Sequence, residues 1–150
     1  MADQFELELF LPYRLNRAAE AVSLSFSRIY KTRYDMTRPE WRTLAALGAV
    51  GRMTATAIGA HSSMHKTKVS RAISALEERR WIKRTQAEND RRIEHIELTP
   101  HGRKAYDDLA GHARAYQAEL AAILGRKGLK SFEDGLNAVE SAIREGKLPG

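Results

Sequence analysis

One stretch restricts the fold more than any other, the run from Thr54 to Leu98. A short helix is predicted from about Thr54 to Ala60, with Thr54 as its N-cap. His61-Ser62-Ser63-Met64 then makes a tight polar connection. A longer helix follows, from about His65 to Arg80. Val69, Ile73 and Leu76, spaced by four and three, give it one apolar side. Thr67, Ser70, Arg71 and Ser74 fall on the other side. Two helices joined by so short a turn, the second exposing Ser, Thr, Lys and Arg, make a helix-turn-helix pattern. The period then changes. Trp81 to Gln86 and Arg92 to Leu98 read as two strands around the charged, turn-forming segment Ala87-Glu88-Asn89-Asp90-Arg91. A β-hairpin with a basic tip therefore follows directly on the exposed helix.

Helices are predicted on both sides of this unit. Glu6 to Lys31 reads as one helix, with Pro12 marking either its true start or a bend. Thr37 and Glu40 have the spacing of a capping box. The helix they open carries Trp41, Leu44 and Leu47 on one side and stops near Gly48 and Gly51. Thr99-Pro100 starts a long helix to about Leu124, and Gly125 to Gly128 is predicted to break it. A last helix with Phe132, Leu136, Val139 and Ile143 in register ends by Gly146. The expected fold is mainly α with a small β-hairpin wing, on one domain spanning 1–150. Within it, 38–99 is the winged unit, and 6–31 and 100–146 are terminal helices. The apolar faces of those terminal helices exceed what one small winged unit can cover. Pairing with the same helices of a second chain is the economical solution, so a homodimer is expected.

Composition narrows the partners. Nine Lys or Arg stand against four acids between Lys66 and Arg92, leaving +5 of the chain's +6. Such a stripe is the electrostatic footprint of a nucleic-acid binder, although a solvated charged face has the same composition. In a major groove, Arg71 and Lys68 could pair with guanine edges, and Thr67 and Ser70 with base or phosphate. Lys66 suits phosphate, and His65 is expected to touch DNA.

Several classes are not expected. Cysteine is absent, so disulfides and thiolate metal sites are excluded. His61 and His65 straddle the turn with no evident carboxylate, and no metal is expected. No Gly-rich phosphate loop, G-x-S-x-G or H-E-x-x-H occurs, so neither cofactor nor enzyme activity is predicted. No apolar run reaches membrane-spanning length, and the N-terminus, with Asp3, Glu6 and Glu8, lacks a cationic signal. A cytoplasmic location is the default expectation.

The stretch Thr54 to Gly102 resembles the MarR family of bacterial transcription regulators. The most specific part is Asp90-Arg91-Arg92 followed by Ile96-Glu97-Leu98-Thr99-Pro100-His101-Gly102, similar to a D-x-R wing and an apolar strand ending L-T-x-x-G. Lys66 to Arg71, with Leu76-Glu77-Glu78 after it, resembles the family's recognition helix. Ser62 departs from the pattern, since the family more often has an apolar residue there.

The resemblance implies a triangular homodimer on a pseudo-palindromic operator. It implies that Arg92 enters the minor groove, that Asp90 holds its guanidinium, and that Arg91 touches backbone phosphate. It also implies release from DNA by phenolic or aromatic acids or acyl-CoA thioesters, from a cavity between the dimer helices and the winged unit. Arg14, Arg17, Arg38, Trp41 and Arg42 are the candidate ligand residues, an aromatic wall with cations nearby. The same five read equally well as a core tryptophan and solvated or interface arginines. The functional expectation is a ligand-released repressor. The alternative is an effector-independent or nucleoid-type DNA-binding protein.

Overall fold

The computed structural model describes residues 4–150. Met1 to Asp3, part of the N-terminus read above, lie outside the described residues. Five α-helices and one hairpin follow in the order α1 (Leu11–Tyr34), α2 (Arg38–Val50), α3 (Ala55–Ser62), α4 (Lys66–Glu78), β1 (Ile82–Gln86), β2 (Glu94–Leu98) and α5 (Pro100–Arg144) among the described residues. The mainly helical fold with a small hairpin is the one expected. The chain falls into two compact units, one ending at His112 and one running from Ala113 to Gly150.

Of its two readings, Pro12 marks the true start of the first helix. Leu7–Leu9 is a 3-10 turn, and α1 begins at Leu11 with Pro12 in its first turn. Proline has no N–H to donate and its ring clashes one turn back, so it is tolerated only there. The helix runs three residues beyond Lys31 and ends where Asp35 turns left-handed at φ 52°.

α2 opens with both bonds of the capping box. Thr37 Oγ1 accepts from the Glu40 N–H at 3.3 Å, and the Glu40 carboxylate accepts from the Thr37 N–H at 2.7 Å. Gly48 lies inside α2 instead of ending it, and Gly51 is the C-cap. Tyr30, Met36, Leu44, Leu47, Ile58, Ile73, Leu76, Ile96 and Leu109 are all buried in one core of the first unit. Each fully buried leucine or isoleucine there contributes roughly 1.5–3 kcal/mol.

The turn between α3 and α4 is short because two residues make it possible. Ser63 is left-handed at φ 53°, and its N–H bonds the Gly59 carbonyl. A Cβ on Gly59 would stand 3.2 Å from the Met64 carbonyl oxygen and 3.5 Å from Val69 Cγ2. The lack of a side chain at 59 thus lets α4 cross close to α3. Ser62, the departure from the family pattern, is buried as the last residue of α3.

The hairpin is antiparallel, with Ile82 opposite Leu98, Arg84 opposite Ile96 and Gln86 opposite Glu94. Its second strand starts at Glu94 and not at Arg92 as expected. The reason is local: Asp90 Oδ1 accepts the Arg92 N–H, and the Ile93 N–H bonds the Asp90 carbonyl, so Arg92 belongs to the turn. Met53 adds a one-residue third rung, exchanging both backbone bonds with Ile96 at 3.0 and 2.8 Å.

Thr99 joins the wing to α5. Its N–H bonds the Trp81 carbonyl at 2.9 Å, its hydroxyl donates to the Arg80 carbonyl at 2.7 Å and accepts from the Gly102 N–H at 3.1 Å. Gly102 passes so close that a Cβ there would run into the Trp81 carbonyl. Further along α5, Asp108 accepts from Arg33 at 2.8 and 3.0 Å and from the Tyr34 hydroxyl at 2.7 Å, tying it to the end of α1. The Tyr34 hydroxyl and the Arg33 guanidinium hold the Asp108 carboxyl below the usual carboxylate range.

In the second unit, the break expected over Gly125 to Gly128 is a single residue. Gly125 alone is non-helical, at φ 73°, and the helix resumes at once. Arg126 and Lys127 are good helix formers, so nothing after the glycine prolongs the break.

Candidate nucleic-acid interface

α4 divides its residues as its period requires. Val69, Ala72, Ile73 and Leu76 are buried, and Lys66, Thr67, Lys68, Ser70, Arg71 and Ser74 are exposed. α2 and α3 pack behind it and carry its apolar face. His65 is the N-cap, its Nδ1 accepting from the Thr67 N–H at 3.4 Å. Neutral histidine with an accepting Nδ1 carries its proton on Nε2, which leaves a donor at the exposed start of the helix.

The wing tip is organised around one carboxylate. Asp90 accepts from Arg92 three times at 3.0 Å, once from the backbone N–H and twice from the guanidinium. The arginine side chain is nevertheless 89% exposed. The Arg92 guanidinium and N–H hold the Asp90 carboxyl below its ordinary value. This arrangement presents a cation from the hairpin tip in a fixed direction. Arg91, next to it, is exposed without an ion-pair partner among the described residues.

The charge stripe contains fewer available cations than its count suggests. Arg79 donates to the Tyr34 and Asp35 carbonyls at 2.7 and 3.1 Å, lies 3.6 Å from the buried Glu40 carboxylate, and covers the Trp81 ring. Arg84 binds Glu77 at 3.1 Å and Glu94 at 3.4 Å. Lys83 faces Glu97 across the hairpin at 3.4 Å. These three are engaged with other groups of the fold. Lys66, Lys68 and Arg71 have no ion-pair partner among the described residues, and they share the outer face of α4.

Away from this face lies a cavity of about 450 Å³, between α1 and α2. Its aromatic wall is Phe26, Tyr30 and Trp41, with Tyr30 stacked on Trp41 at 5.8 Å and Phe26 5.3 Å from Trp41. Its polar lining includes Asn16, Glu20, Ser23, Arg38 and Arg42. Glu20 accepts both arms of the Arg38 guanidinium, at 2.8 and 3.1 Å. That bidentate pair lowers the Glu20 pKa, and burial pushes the Tyr30 hydroxyl up.

Of the five ligand candidates, Arg38, Trp41 and Arg42 line the cavity and Arg14 and Arg17 do not. Arg17 binds Glu8 at 3.2 Å and lies over Tyr13. Five of the seven α1 residues on the lining, Asn16, Ala19, Ser23, Phe26 and Tyr30, recur at three and four, with Glu20 and Val22 flanking them. Arg17 is turned by about 100° from Asn16 and is not on the lining. Asn16, Glu20 and Ser23 carry no sequence signal of their own. Phe26 is an apolar residue of α1, and nothing in the sequence distinguishes a cavity wall from core there.

Helix, tight turn, exposed helix and basic hairpin, with Met53 as a third rung, define a winged helix-turn-helix protein. Comparison with known proteins agrees. The model of the MarR family matches residues 34–93. The HTH-type transcriptional regulator YwoH of Bacillus subtilis is 26% identical over 112 residues, 75% of this chain and 80% of YwoH. A MarR family regulator from Silicibacter pomeroyi superposes with a TM-score of 0.75 at 25% identity, covering 92% of each chain. BpsR of Bordetella bronchiseptica, solved in a study of regulation of its DNA binding by 6-hydroxynicotinic acid, has a TM-score of 0.77 at 18% identity, covering 92% of this chain and 98% of its own. Residues 34–93 thus match the MarR family model, and over most of its length the chain is similar to regulators of that kind. Members of this family are DNA-binding regulators and not enzymes. No described helix is long and apolar enough to cross a membrane.

Proposed function

We propose that the protein is a homodimeric repressor that binds a pseudo-palindromic operator and releases it when a small aromatic anion enters the cavity beside Trp41. The DNA half of this reading rests on one observation. Lys66, Lys68 and Arg71 are exposed on α4 without carboxylate partners among the described residues, and the hairpin that follows carries an exposed Arg92 held by Asp90. In this reading α4 lies in the major groove, with Thr67, Ser70 and Arg71 at base edges and His65, Lys66 and Lys68 towards phosphate. Arg92 enters the minor groove, where narrow width concentrates negative potential, and Arg91 meets the backbone.

The dimer rests on exposed apolar side chains in each unit. Leu11, Leu15 and Leu24 are exposed on α1, and Ile123, Phe132, Val139 and Ile143 in the second unit. A second copy would cover them.

The position of Lys66 makes a simple prediction. Lys66→Ala should weaken binding to all duplexes alike and lower the slope of log affinity against log salt by about one unit per contact. Filter binding or fluorescence anisotropy at four salt concentrations reads both effects. Selective loss on one sequence would move Lys66 from phosphate to base.

The ligand half is supported by the aromatic wall with Arg38 and Arg42 beside it. The fold is shared with BpsR, whose DNA binding is regulated by 6-hydroxynicotinic acid. The test uses 6-hydroxynicotinic acid and a set of hydroxybenzoic acids. An effective ligand should raise the melting temperature and lower operator affinity about 5–150-fold, a coupling of about 1–3 kcal/mol. Ser23→Phe, an exposed position of α1 on the cavity lining, should keep operator affinity and lose the ligand effect. If it responds at the wild-type ligand concentration, the ligand binds elsewhere. If no acid in the set acts, the effector-independent regulator is the better reading.

A further inference from the structure

A second cleft, of about 360 Å³, opens where α2 and α4 both begin. Arg38, Arg42, His65 and Lys68 line it, with the Ser63 turn between the helices, and its lining contains no carboxylate. Arg38 and Arg42 also line the aromatic cavity, so the two spaces share a wall made of cations. The two arginines differ in what they are free to do. Arg38 is forked onto Glu20. Arg42 is exposed and has no ion-pair partner among the described residues.

We propose that this cleft seats a DNA backbone phosphate, held by Arg42 and Lys68, and that an anion in the aromatic cavity withdraws Arg42 from it. This rests on the DNA-binding reading given above and adds to it a site and a route of release.

Three physical arguments support the phosphate. First, uncompensated cations converging on one open cleft are held apart by mutual repulsion, which a bound anion relieves. Second, the positive end of the α4 dipole adds partial positive charge on the same side. Third, Lys68 and His65 belong to the helix assigned to the major groove, so a cleft at its start meets the phosphates that border the groove.

The route of release follows from geometry. A guanidinium makes its strong bonds as a planar fork onto a single anion. Arg42 cannot fork onto a phosphate in the cleft and a carboxylate in the cavity at once. Arg38 has less freedom to substitute, because Glu20 already occupies its fork. Ligand and DNA therefore compete for one side chain. No change in the spacing of the two recognition helices is needed for that competition.

The experiment uses the full chain and a bound duplex carrying single neutral methylphosphonates, placed one at a time along a half-site. Wild type, Arg42→Gln and Arg42→Lys are compared. Wild type should lose affinity at one phosphate that Arg42→Gln ignores. Arg42→Gln should also bind the unmodified duplex more weakly, with a salt slope lower by about one unit per half-site. Arg42→Lys should keep the slope, since it keeps the charge. Melting temperatures should match for all three, because Arg42 is exposed.

Addition of 6-hydroxynicotinic acid, if it proves to be an effective ligand, should make wild type behave as Arg42→Gln does at that phosphate. The site is wrong if Arg42→Gln keeps the wild-type affinity, slope and sensitivity to every methylphosphonate. It is also wrong if inorganic phosphate at constant ionic strength stabilises the DNA-free protein while the methylphosphonate scan is flat, which would mean a free-anion site. Arg71→Ala separates the two levels. If that variant also binds every duplex as wild type does, the DNA-binding reading itself has failed.

Discussion

Gly102→Ala should destabilise the first unit by about 3 kcal/mol, the upper end of what overpacking a tight site costs. Helix propensity alone predicts the opposite sign, since alanine exceeds glycine by about 1 kcal/mol inside a helix. The deciding fact is the neighbour. A Cβ at 102 would clash with the Trp81 carbonyl oxygen. That oxygen accepts the Thr99 N–H at 2.9 Å, and Thr99 also holds the Arg80 carbonyl and the Gly102 N–H. The backbone can retreat only by breaking the joint between the wing and α5. Urea unfolding followed by Trp fluorescence measures the difference. A variant as stable as wild type, or more so, would show that this joint is loose and that the wing is not positioned by it.

Arg71→Ala should cost about 1–3 kcal/mol in operator binding, roughly 5–150-fold, and should relax the preference for one base pair in each half-site. Its stability should not change, because the side chain is exposed on α4 and has no ion-pair partner among the described residues. Arg79 makes the contrast. It lies at the end of the same helix, yet it is committed to the Tyr34 and Asp35 carbonyls and to Glu40. Its removal should lower stability and leave base preference alone. Binding isotherms on the preferred duplex and on single-base variants, with a thermal melt of each protein, separate the two. Equal effects on preference from both arginines would mean that the outer face of α4 is not the reading surface.

The winged unit was legible because its signals are local. The Thr37–Glu40 box, the Thr54 cap and the four-three spacing of Val69, Ile73 and Leu76 each act within one or two turns of chain. What escaped depends on partners distant in sequence. Met53 pairs with Ile96 as a single residue, too short to show a period. Arg79 and Arg84 look like available cations until their partners on other elements are seen. The same holds for Glu20, whose grip on Arg38 spans 18 positions. Arg14 and Arg17 were grouped with the cavity as cations of the first helix, but the lining falls on Asn16, Ser23 and Phe26. At Arg92 the sequence pattern continued the strand, and the Asp90 side chain ended it.

Selection of binding sites from a pool of randomised duplexes tests the central claim most directly. Two copies that each place one α4 in the major groove should enrich a two-fold symmetric motif, with half-site centres about 10–10.5 base pairs apart or a multiple of that. Arg71→Ala, carried through the same selection, should keep the spacing and lose information at one position of each half-site. A pool that enriches no motif, or an Arg71→Ala pool with the wild-type motif unchanged, would contradict the assignment of α4 as the helix that reads DNA.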